Sequence, residues 1–127
     1  MVASVSLAGC QDRAGASSAA QVVQQTVTAL AARDYQKARV NLTGEALSAV
    51  DDLLPSLEKA KLETKISDFK TVEAQANGDQ AEVRAHYVQE QAVPGYGSAV
   101  DNIDALFHLV KIKDQWRIAW VHVLTKE

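Results

Sequence analysis

Two hydrophobic periods divide the chain. Val23, Val27, Leu30 and Ala31 recur at helical spacing, with Gln24, Gln25, Thr28 and Arg33 between them. This predicts an amphipathic helix running from a capping box at Ser18 and Gln21 to about Ala32. Asp34 to Ala38 reads as a turn that opens a short second helix. Thr43 is a good N-cap for a third, with Glu45 in the first turn, where the helix dipole favours a carboxylate. Leu47, Val50, Leu53, Leu54 and Leu57 form the stripe that this helix should bury. Pro55 disfavours the helical region at Leu54, so a kink or break is expected there, and the helical pattern ends near Lys61.

From Leu62 onward the period is two. Leu62 to Ala74 reads as a first strand of irregular alternation, and Gln80 to Ala92 as a second. In the second, Ala81, Val83, Ala85 and Tyr87 alternate with Glu82, Arg84 and His86. Asn77-Gly78 between them is a hairpin signal, because a type I′ turn needs positive φ at both central residues. After a loop at Pro94 to Ser98, a third strand runs from about Ile103 to Ile112 and a fourth from Gln115 to Leu124. A two-residue turn at Lys113-Asp114 sets Lys111 opposite Trp116, Leu109 opposite Ile118 and Phe107 opposite Trp120, on the face toward the helices. The other face of this hairpin then carries Leu106, His108, Val110 and Ile112 beside Ala119, Val121 and Val123. An antiparallel sheet with one face in water alternates cleanly; this one does not, so a partner or a second layer is expected over Leu106, His108, Val110, Val121 and Val123.

Composition narrows the function classes. A net charge of −3 and a pI near 5.6 argue against a nucleic-acid partner, which would require a basic stripe. Nowhere does an apolar run reach the roughly 18 residues of a membrane span. The one cysteine, Cys10, permits neither an internal disulfide nor a thiolate metal site. His86, His108 and His122 show no metal-ligand spacing, so neither a metal nor a cofactor is expected.

Cys10 has another reading. It follows Leu7-Ala8-Gly9, and the segment resembles the bacterial lipobox, whose small residues admit the signal peptidase and whose cysteine takes a diacylglycerol. Each buried CH₂ of such a chain contributes about 0.8 kcal/mol of membrane binding. The leader departs from the usual pattern: no Lys or Arg precedes Cys10, and the apolar run is short. On this reading residues 1–10 are a lipoprotein signal, 11–18 a tether and 19–127 one domain. The protein is then expected in the bacterial cell envelope, facing the periplasm and held to the lipid bilayer by the acyl chains on Cys10. Gln11 after the cysteine resembles the sorting signal for the outer membrane.

Helices followed by a long antiparallel meander resemble the nuclear transport factor 2-like (cystatin-like) α+β fold. Two local stretches carry the likeness. Ala31-Ala32-Arg33-Asp34-Tyr35-Gln36-Lys37-Ala38 is similar to the turn after the first helix in that family, and Phe107 to Ile118 is similar to its closing hairpin. The chain looks most like the small lumazine-binding-like lipoproteins. The resemblance implies N-terminal helices packed on a curved four-stranded antiparallel sheet, a cone with a pocket between the layers, and pairing through the outer sheet face. It places Tyr35, Tyr87, Phe107, Trp120 and His122 at the pocket. Catalytic members of the fold set an Asp, Tyr or His inside the cone, for which Tyr87, Asp104, His122 and Tyr35 are the candidates here. The expected function is a noncatalytic envelope module that binds a small apolar ligand, a second copy of itself or another envelope protein. The alternative is a small isomerase- or dehydratase-like enzyme.

Overall fold

The computed structural model describes residues 13–126. Cys10 and the leader lie outside them. Three helices, α1 (Arg13–Ala31), α2 (Tyr35–Val40) and α3 (Gly44–Ala60), precede four strands, β1 (Glu63–Asn77), β2 (Gln80–Val93), β3 (Gly97–Ile112) and β4 (Gln115–Lys126). The strands form one antiparallel sheet in the order β1-β2-β3-β4. This is the expected α+β architecture.

α1 starts at Arg13, five residues ahead of the expected Ser18 cap, so the small-residue stretch from Ala14 to Ala20 is helix. Alanine has the highest helix propensity, and the early turns also have something to bury: Gly15, Ala19, Val23 and Val27 continue one buried face. Thr26 on that face is 2% exposed and returns its hydroxyl to the Val22 carbonyl at 2.7 Å. Asp34 caps α2 by accepting the Lys37 N–H at 3.2 Å. Thr43 precedes α3 as expected, but its side chain makes no cap bond. α3 runs through Pro55 unbroken and stops at Lys61, which takes φ +53°.

The first hairpin turns at Gly78-Asp79, one residue later than expected, with Asn77 opposite Gln80. Only Gly78 has positive φ, +62°, which matches a II′ turn in place of the I′ turn expected. The last hairpin turns at Lys113-Asp114, with φ +50° and +65°, as expected of a I′ turn. Lys111 faces Trp116 and Leu109 faces Ile118. Beyond that pair the register shifts. His108, not Phe107, faces Trp120, and Phe107 faces Val121, because Ala119 is an extra residue on β4. A second shift lies between Asp104 and Ala105.

The bulge reverses the faces of β4. Trp120 and His122 join Leu106, His108 and Val110 on the outer face, where the Trp120 and His108 rings stack at 5.2 Å. Val121 and Val123, expected on the outer face, point to the helix side opposite Phe107 and Ala105. His108 and His122 therefore share one face, where an unbulged register would have separated them.

The core lies between α1 and the inner sheet face. Its largest fully buried side chains are Leu109, Ile118, Val23 and Val83. On the outer face, Arg84 grips Asp104 with both nitrogens of its fork, Nε–Oδ1 at 3.0 Å and Nη2–Oδ2 at 2.6 Å. His86 Nε2 stands 4.0 Å from the same carboxylate, whose side chain is only 8% exposed. The Arg84 hydrogen bonds and charge hold the Asp104 carboxyl below its usual range, against burial, which pushes it up.

Two stability outcomes follow from this packing. Leu109→Ala should cost about 2–5 kcal/mol in urea unfolding, as buried leucine truncations do, and Trp120→Ala should cost less because Trp120 is only half-buried, on the outer face. Equal costs would contradict the bulged register. Asp104→Asn should destabilise at neutral pH. A carboxylate with a depressed folded pKa stabilises above its unfolded value and ceases to do so as pH falls through the folded one. The gap between the two unfolding midpoints should therefore close as pH drops below about 4; a gap that widens there would refute the ion pair's role.

Candidate functional site: an apolar cone beneath the third helix

α3 is buried at its N-terminal end only. Ala46, near its start, is its one buried residue among those described, whereas Val50, Leu54 and Leu57 are half-buried and Leu53 is 55% exposed. The stripe read from the sequence is present, but it faces a cavity where burial against the sheet was expected. Arg39 on α2 holds the middle of α3 through Asp51, with Nε–Oδ1 at 2.7 Å and Nη2–Oδ2 at 3.2 Å.

The cavity measures about 360 Å³ and lies between the C-terminal halves of α1 and α3 and the inner faces of β1 and β2. Leu30, Ala31, Val50, Leu53, Leu57, Leu62, Ile66 and Phe107 give it an apolar lining, and Val121 closes the side toward β4. Polar groups are few: Arg33, Tyr35, Thr64, Tyr87, Gln89 and Gln91. The strand period explains them. Gln89 and Gln91 continue the inward row of Val83, Ala85 and Tyr87, and they pair with Ile66 and Thr64 on β1. Tyr87 stacks on Phe69, centroids 5.7 Å apart, and burial pushes its hydroxyl up.

A second compartment of about 500 Å³ shares Val27, Leu30, Val50, Phe107 and Val121 with the first and extends along β4. Glu45, Trp120 and His122 border it. Glu45 and His122 are exposed, so neither is desolvated as a tuned acid or base would be. Among the described residues, no carboxylate or imidazole lines the first compartment.

The expected pocket residues therefore divide. Tyr35, Tyr87 and Phe107 border the first compartment, while Trp120 and His122 reach only the rim of the second from an outer-face register. Asp104 lies on the outer face, opposite His86, and not inside the cone. Of the expected interface residues, Leu106, His108 and Val110 are on the outer face and Val121 and Val123 are not. His108 Nδ1 is buried there with no hydrogen-bond partner. Arg33, Thr64, Gln89 and Gln91 were missed by sequence reasoning. The period-two row through Tyr87 would have found the glutamines, had polar residues been allowed at inward positions.

No family model matches the chain, and no curated protein does. Among solved structures it is similar to the intermembrane space region of the chloroplast protein ARC6, with 18% identity and a TM-score of 0.71 over 87% of this chain and 96% of that one. It is also similar to a ketosteroid isomerase-like protein from Erwinia carotovora atroseptica, with 14% identity and a TM-score of 0.72 over 90% of this chain and 99% of that one. Identities this low speak to fold alone. With its helices first and its open four-stranded antiparallel sheet after them, the chain has the nuclear transport factor 2-like cone fold.

Proposed function

We propose that this protein is a noncatalytic binding module of the bacterial envelope, tethered through lipidated Cys10, that takes a small apolar ligand into the cone beneath α3. The supporting observation is the apolar stripe of α3, held over a cavity with an open mouth and no buried acid or base. Apolar side chains lining a preformed cavity of this size suit a ligand that removes their surface from water. An isomerase- or dehydratase-like reaction would need a carboxylate or imidazole inside, tuned by burial and a partner. The likeness to a ketosteroid isomerase-like protein extends to the fold and does not supply that group.

The outer sheet face supports a second contact, with another copy of this chain. Leu106, Val110 and Trp120 share that face, each half-buried. Acidic Glu73 and Glu82 and basic Lys70, Arg84 and Arg117 surround them, so a twofold axis would set both signs against their complements.

An apolar dye tests the cone. N-phenyl-1-naphthylamine should fluoresce on binding the wild-type chain, and Val50→Trp, which fills both compartments, should weaken binding by about tenfold or more. Unchanged binding in that variant would reject the cavity as the site. In the native envelope, Cys10 should incorporate labelled acyl chains and Cys10→Ser should not. Sedimentation of detergent-solubilised protein should show a dimer that Leu106→Asp dissociates; an unlabelled wild type would remove the anchor, and a monomeric wild type the second copy.

A further inference from the structure

Arg33, Thr64, Gln89 and Gln91 mark one end of the first compartment. Arg33 follows the last turn of α1, at φ +64°, and its Nη2 donates to the Leu57 carbonyl at 3.4 Å, near the end of α3. Thr64 stands on the inner face just after α3 gives way to β1, and Gln91 is its partner across the strand pair. Gln89 is one inward position further in, and Tyr87 one beyond that. Past Tyr87 the lining is apolar.

The charge at that end is one-sided. Among the described residues, Arg33 is the only charged one lining this compartment, and no carboxylate pairs with it. The acidic residues nearest in sequence are turned elsewhere. Asp34 spends its carboxylate on the Lys37 N–H, and Glu63 precedes Thr64 on the strand and so faces away from the cone. The helix C-termini that converge here would oppose an anion through their carbonyls. Those of Thr28, Ala29 and Leu30 already accept the N–H groups of Ala32, Asp34 and Arg33, and that of Leu57 accepts the Arg33 fork. The remaining guanidinium donors are free for a planar or tetrahedral anion.

We infer that the ligand of the cone is a single-chain anionic amphiphile, its apolar chain lying among Leu30, Val50 and Phe107 and its carboxylate or phosphate head held by Arg33, with Thr64 and Gln91 beside it. The inference rests on the cavity being the ligand site. Tyr87 sits where the head gives way to the chain. Its hydroxyl has no hydrogen-bond partner among the described residues and can serve an acyl oxygen there.

Titration calorimetry on the full chain with dodecanoate, dodecyl phosphate, methyl dodecanoate and dodecylamine separates the claims. A charge-assisted bond to Arg33 predicts that one or both anions bind about tenfold tighter than the neutral ester, and that the amine binds more weakly than the ester. Whichever anion binds tighter identifies the head. Arg33→Gln should bring the anions to within about twofold of the ester with ester affinity unchanged, and Arg33→Lys should restore part of the preference. Anions and ester binding alike to the wild type, with Val50→Trp weakening both, would overturn the anionic head and leave the cone as a binding site. An anion preference that survives Arg33→Gln would equally overturn it. If Val50→Trp leaves every affinity unchanged, or no probe binds, the cavity reading itself fails.

Discussion

Ile118 is held from both sides. Across the sheet it pairs with Leu109 on β3, and on the open edge of β4 the segment between α2 and α3 forms a short parallel bridge to it. The Ile118 N–H donates to the Asn41 carbonyl at 2.8 Å, and its carbonyl accepts the Thr43 N–H at 2.9 Å. The side chain is 1% exposed, in the middle of the core. With that residue fixed on the inner face, the extra residue at Ala119 decides the orientation of the strand beyond it. Trp120 and His122 are sent outward, and Val121 and Val123 are turned to the cone. The same two hydrogen bonds fix where α3 begins, since Thr43 is its N-cap. One short contact thus sets both the lining of the cavity along β4 and the position of the helix above it.

The two halves of the helical layer are packed differently. α1 contributes Ala19 and Val23 to one buried cluster with Ala76, Ala81, Val83 and Ala85 of β1 and β2. Small alanines on the strands let the helix approach closely, which favours dispersion contacts over space. α3 has its N-terminal end pinned beside β4 and its middle tied to α2 by the Arg39–Asp51 pair. Its last two turns are held among the described residues by one long bond, from Arg33 Nη2 to the Leu57 carbonyl at 3.4 Å. Val50, Leu54 and Leu57 are left in the half-buried state, with Leu53 more exposed still. An apolar stripe held over open space keeps surface in contact with water that packing against the sheet would have removed.

The fold was legible where local chemistry and global pattern agree. The alternation of Ala81, Val83 and Ala85 with Glu82, Arg84 and His86 is a one-face strand, and burial follows it residue by residue. The two turn residues Lys113 and Asp114 fix the first pairs of the last hairpin. The bulge was not legible because it has no residue signature here: Ala119 is small, neutral and unremarkable in a strand. An apolar run such as Ala119 to Leu124 carries no alternation from which to detect a slip. That single missed residue moved Trp120 out of the cone and Val121 into it. The stripe of α3 was equally plain in sequence, but helical periodicity states which face is apolar and not whether anything fills the space below. Arg33 was invisible as a site residue because it stands in a turn, where charged residues need no reason beyond solvation.

Charge is partitioned between the two faces of the sheet, and this bears on what the molecule can do. All three histidines, together with Asp104 and Arg84, lie on the outer face. There the carboxylate is committed to the guanidinium fork, which keeps it ionised and poorly suited to exchange protons near neutral pH. Among the described residues, the first compartment of the cone is lined by hydroxyls, amides and one guanidinium, a set that donates hydrogen bonds and one positive charge. The parity that the bulge at Ala119 imposes on β4 adds His122 to that outer set, whose other members stand on β2 and β3.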